Sequence, residues 1–172
     1  DVQSSSQNLS AAKETVAMVS GALQQYKLNS TMHPDTHFND LTPYMNYVSV
    51  DTTSLIDEVP TLNSIQCGLN ILGGTYICLR LHNGSVLLYH TATSFGNTTT
   101  SNAVLIKVDP DGVYSGSING QGKSIDFWLY TNGQLRTEGT VAIPTEFNHG
   151  TSGLTARNPN PAFDPPWFSW SN

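Results

Sequence analysis

The stretch from Asn8 to Pro34 constrains this chain more than any other. Its apolar residues Leu9, Ala12, Val16, Val19, Leu23 and Tyr26 recur three or four positions apart, which stacks them along one face of an α-helix about six turns long. A stripe of that kind must be covered. From Ser64 the period changes to two, so the simplest cover is a sheet built by the rest of the chain. Asn8 or Ser10 suits the start of the helix, Lys27 suits its negative end, and Asn29 with Pro34 ends it, which sets its span at 8–30. Gly21 in its middle costs up to about 1 kcal/mol relative to alanine unless it permits close packing.

Residues 31–63 read as irregular, punctuated by Pro34, Pro43 and Pro60, with a short helical turn around Asp40 to Tyr47. The sheet is expected over 64–143. Ile65 to Ile71 and Thr75 to Leu81 flank Gly73-Gly74, and Ser85 to Thr91 follows Asn83-Gly84, so both glycine pairs read as hairpin turns. Ala103 to Val108, Ser124 to Thr131 and Leu135 to Ile143 continue the meander. Alternation along Ser124 to Thr131 sends Ile125, Phe127 and Leu129 to a core face and Asp126, Trp128 and Tyr130 to a partly wet one. Residues 144–172 are rich in proline and aromatics without a period and read as an irregular tail. The expected architecture is one α+β domain over 1–172, a long N-terminal helix packed on an antiparallel β-sheet.

At 172 residues the chain can bury a core without staples. Charged residues are 12% of it, about half the usual share, and Ser, Thr, Asn and Gly fill their place, as in many extracellular β-rich proteins. A net charge of -6, with its seven basic residues scattered from Lys13 to Arg157, argues against a nucleic-acid face and against docking on an anionic membrane. No run of 18 apolar residues or signal peptide occurs. The polar lead-in Asp1 to Gln7, without a methionine, reads as a processed or trimmed start.

Few residues form a chemical constellation. Cys67 and Cys78 lie on the two arms of the first hairpin, directly opposed in one register and diagonal in another; a disulfide is expected, with two buried thiols as the alternative. Asp109 and Asp111, with Asp126, make a candidate calcium set, although a type I turn around Pro110 explains Asp109 to Gly112 unaided and the EF-hand spacing fails. His33 and His37 are separated by Pro34 and read as loop histidines, and His82, His90 and His149 have no companions at ligand spacing. Gly120 to Ser124 imitates the end of a phosphate loop but leads into a strand, where no helix N-terminus would receive phosphate. No nucleophile elbow or catalytic cysteine signature is present, so no enzymatic activity is expected, and no cofactor apart from the calcium candidate. Trp167, Phe168 and Trp170, with Tyr114 and Phe163, are candidate aromatics for sugar stacking or a subunit contact, against the plainer role of packing on their own domain.

Ala12 to Val16, Ala22 to Asn29, His33-Pro34 and Leu41-Thr42-Pro43-Tyr44 together resemble the register of type IV pilins and type II secretion pseudopilins. The likeness is densest over residues 8–45; from Ser64 onward it is one of architecture. It implies a structural filament subunit without catalysis, a major or minor pilin or a pseudopilin, whose partners are other such subunits. It also implies an upstream apolar half-helix that anchors the precursor in the inner membrane and later forms the filament core. The place implied is an extracellular filament, a fimbrium used in cell adhesion, or the periplasm. Leu9, Ala12, Val16, Val19, Leu23 and Tyr26 would then divide between the sheet and neighbouring subunits. Some pseudopilins hold calcium, without a residue-by-residue match to Asp109 and Asp111, and many pilins carry a disulfide nearer the C-terminus than Cys67 and Cys78. The competing reading is a secreted carbohydrate-binding or adhesive module using the C-terminal aromatics.

Overall fold

A computed structural model describes residues 2–33, 35–52, 55–56, 65–71, 73–95, 103–113, 125–130, 135–136, 141–142 and 155–156. The chain opens with α1 (Val2–Asn29), followed by a 3-10 helix (Phe38–Tyr44) and β1 (Tyr47–Asp51). Then come β2 (Leu55–Ile56), β3 (Ile65–Gln66), β4 (Asn70–Ile71), β5 (Gly74–Leu81), β6 (Val86–His90) and β7 (Ala103–Asp109). After them come β8 (Ile125–Tyr130), β9 (Leu135–Arg136), β10 (Val141–Ala142) and β11 (Thr155–Ala156). The main sheet is antiparallel in the order β1-β5-β6-β7-β8-β9, with β4 also paired to β5. The expected α+β meander is therefore present, a helix packed on an antiparallel sheet.

The helix has 28 residues, about 42 Å at the usual rise, and begins six residues before the sequence reading placed it. The lead-in has no apolar period to betray it, and Asn8 and Ser10 lie inside the helix instead of capping it. The register assigns the sheet faces. Leu79 opposes Leu87, Leu87 opposes Val108, Ile106 opposes Phe127 and Val104 opposes Leu129, and these residues share one buried cluster with Ala12, Val19, Ala22 and Leu23 of α1. The 3-10 helix closes the same core with Phe38 and Leu41, and Tyr44 meets Tyr26 edge-on at 6.4 Å.

Three features differ from the sequence reading. Among the described residues the opposite sheet face is largely buried, with Trp128, Leu105, Leu88, Val86, His90 and Tyr76 all covered and Arg80 partly exposed. Alternation reports which residues share a face, but only tertiary packing decides whether the second face is covered. The supposedly irregular stretch 31–63 contributes β1, which borders β5 with a bulge between Tyr47 and Ser49. Its proline spacing masked a five-residue strand. Within the tail, β11 pairs with β10, a ladder too short to show a period.

Turn chemistry explains the two hairpins. Ile71 pairs with Gly74, so Gly73 at φ +84 lies inside the first turn and Gly74 opens β5, in place of a turn made by both glycines. In the second, the Leu81 amide donates to the Ser85 carbonyl and the Gly84 amide to the Leu81 carbonyl. That is a three-residue loop whose last position, Gly84 at φ +88, needs the left-handed conformation glycine adopts without strain.

Candidate functional site

The helix face is the first candidate surface. Ala12, Val19 and Leu23 are fully buried against the sheet, while Val16 and Tyr26 are half-buried beside it. The Leu9 side chain lies outside the described residues. Thr15 and Ala22, which the apolar pattern passes over, are buried too. The packed stripe is therefore rotated toward small side chains, which let the helix backbone come close to the hairpin beneath it. Thr15 Oγ1 donates to the Ala11 carbonyl at 2.9 Å and lies 2.9 Å from Ser85 Oγ, while Ser85 Oγ donates to Asn83 Oδ1 at 2.7 Å. Asn83 Nδ2 donates in turn to the Ala11 carbonyl at 3.3 Å. Each hydroxyl has one proton, so two of these three oxygen contacts are hydrogen bonds at any instant; buried Thr15 and Ser85, with exposed Asn83, latch the helix to the β5–β6 loop. On the outer side, Gly21 is exposed and a Cβ there would meet nothing within 4 Å, so close packing within the domain does not explain it.

Cys67 and Cys78 form the expected disulfide, with Cα atoms 5.6 Å apart and both residues fully buried. Asn70 pairs with Thr75 and Ile71 with Gly74, so opposed positions sum to 145 there, but the Gly68 amide donates to the Tyr76 carbonyl while the Tyr76 amide donates to the Leu69 carbonyl; two residues thus face one, Cys67 leaves that register, and Cys78 pairs in the ladder with Asp51. Gly68 follows at φ +85, so close to Thr52 that a Cβ would run into the Thr52 carbonyl oxygen.

The two described members of the acidic set lie in different surroundings. Asp109 is buried on the second sheet face, whereas Asp111 is exposed and accepts the Val113 amide at 2.9 Å through Oδ1. Asp126 stands across from Lys107 in the ladder, and its side chain is outside the described residues. Among the described residues no group of three or more His, Cys, Asp or Glu side chains is arranged to hold a metal ion. His33 is exposed in the loop after α1, and the His37 amide is capped by Asp40 Oδ2 at 3.0 Å at the start of the 3-10 helix. The phosphate-loop imitation at 120–124, and Tyr114, Phe163, Trp167, Phe168 and Trp170, lie outside the described residues.

Several polar positions escaped the sequence reading. Arg80 Nη2 pairs with Asp51 Oδ2 at 3.0 Å, and the same guanidinium donates to the Gly112 carbonyl at 3.3 Å, so one side chain ties β1 to the turn after β7. Lys107 and Asp109 are each only 2% exposed. Their spacing along β7 with Leu105 could have revealed a shared face, but not its burial. Tyr89 packs its ring 4.9 Å from Phe38 and donates its hydroxyl to Asn39 Oδ1. Burial pushes this phenol up to about 12, against a smaller opposing effect of the Thr42 hydroxyl. At the sheet edge Tyr47, Val48 and Val50 are 41%, 58% and 43% exposed. No helix among the described residues is long and apolar enough to cross a membrane.

Comparison with known protein families, with curated proteins and with solved structures returned no match. The functional reading accordingly rests on the residues and the fold.

Proposed function

We propose that this chain is the globular head of a filament subunit of the type IV pilin or type II secretion pseudopilin kind, assembling with other such subunits through its N-terminal helix. The observation that carries the reading is the order of elements: a 28-residue N-terminal helix lies on a consecutive antiparallel meander, β5-β6-β7-β8-β9. Its support on the sequence side is the resemblance over residues 8–45. The disulfide suits an oxidising location, the periplasm or an extracellular filament.

This reading changes which helix residues are available to a neighbour. Ala12, Val19 and Leu23 are committed to the domain's own core. Assembly contacts would fall on the exposed flank and on helix upstream of it, where the family's apolar anchor would lie. The role is structural, without catalysis. The deciding experiment is to read the residues encoded before Asp1 and to probe cell-surface filaments with antibody to this domain. A short basic leader, a glycine before the cut, about 20 apolar residues and labelled filaments are expected. A conventional cleaved signal peptide would defeat the proposal.

A further inference from the structure

The outer edge of β5 is divided between two neighbours that are held by different means. Its C-terminal half, Cys78 to Leu81, pairs with β1, and that contact is reinforced by the bond from Arg80 to Asp51. Its N-terminal half is covered by residues 68–71. There the Gly68 amide donates to the Tyr76 carbonyl at 2.7 Å, the Tyr76 amide donates to the Leu69 carbonyl at 3.1 Å, and the two-residue strand β4 completes the ladder. An isolated pairing this short is marginal in water. The covalent restraint holding its far end is Cys67–Cys78, which closes a loop with a sequence separation of 11.

We infer that this disulfide is a redox-controlled latch on the sheet edge: reducing it releases residues 67–71 from β5 and bares the backbone amide and carbonyl of Tyr76, while the β1 half of the edge stays paired. The reductant is a dithiol. Its thiolate attacks one cystine sulfur to form a mixed disulfide, and its second thiol displaces the cysteine. The dithiol leaves as its own cyclic or internal disulfide, two electrons pass to the cystine, and Cys67 and Cys78 each end with one proton. Because both cysteines are buried, attack follows transient opening of this same segment.

Hydrogen exchange followed residue by residue tests the latch, in the oxidised protein, after dithiothreitol without denaturant, and in a Cys67→Ala/Cys78→Ala variant. Losing a loop closure of this length lowers protection of the Gly68 and Tyr76 amides about 100-fold. The Leu79, Leu87 and Leu105 amides are expected to keep their protection, which also shows that the variant is folded. Three results overturn the inference: protection at Gly68 and Tyr76 that stays within about threefold of the oxidised value, a uniform loss across the sheet, or a disulfide that resists dithiothreitol until the whole domain unfolds.

Discussion

Raising the pH should destabilise this domain through one phenol. Tyr89 lies on the helix side of β6, buried, with its hydroxyl on Asn39 and its ring against Phe38. Burial raises its ionisation to about 12 from the ordinary 10, so the folded state favours the neutral form. Its contribution is complete below pH 10, where the unfolded chain is also neutral, and is lost as pH climbs through 12. At 1.36 kcal/mol per pH unit the full loss is about 2.7 kcal/mol, of which about 1.4 kcal/mol is gone by pH 11. The assay is the unfolding free energy in urea at pH 9, 10 and 11 for the wild type and for Tyr89→Phe. The variant should be about 1 kcal/mol less stable at pH 9, having lost one hydrogen bond, and the gap should close by pH 11. Other titrating groups act equally on both proteins and cancel in the difference. A gap that stays constant from pH 9 to 11 would refute the reasoning, as would an absorbance titration in which every tyrosine ionises near 10.

Other substitutions probe the packing. Leu23→Ala empties a fully buried helix position and should cost about 2–5 kcal/mol by urea denaturation; a cost below about 1 kcal/mol would mean the helix does not rest on this sheet. Gly21→Ala, with open space at the Cβ, should stabilise the isolated domain by about 0.5–1 kcal/mol, seen as a higher melting temperature. Gly112→Ala should do the reverse by more than about 1 kcal/mol, because Gly112 has φ +69 and its Cβ would strike the Gly84 carbonyl oxygen. In a double-mutant cycle of Thr15→Val and Ser85→Ala, each single change should cost about 1 kcal/mol or less, since the remaining hydroxyl keeps a partner in Asn83 or Ala11. A coupling of about 0.5 kcal/mol is expected, and strict additivity would show that the 2.9 Å contact carries no hydrogen bond.

The candidate surface is partly legible in the sequence. Ala12, Val19 and Leu23 were marked by spacing because a helix buries what recurs every third or fourth position, and Phe127 and Leu129 were marked because a strand alternates. Thr15 and Ser85 were not, since a buried hydroxyl carries no periodic signal; its partner is 70 residues away and only folding brings them together. The same holds for Arg80, whose partners Asp51 and Gly112 lie 29 residues before it and 32 after it in the chain.

Local chemistry by itself determined the long amphipathic helix, the change of period at Ser64, the glycine-bearing turns and a cysteine pair on one hairpin. Each depends on neighbours a few positions apart, and those the chain states outright. The tertiary structure decided the rest: the break in register at Gly68 beside the Cys67–Cys78 bond, the extra strand β1 on the edge of β5, the burial of Trp128, Leu105 and Leu88 on the second sheet face, and the rotation of the helix toward Thr15 and Ala22. These depend on which distant surfaces meet and on how closely their side chains allow them to approach, and packing alone makes that choice.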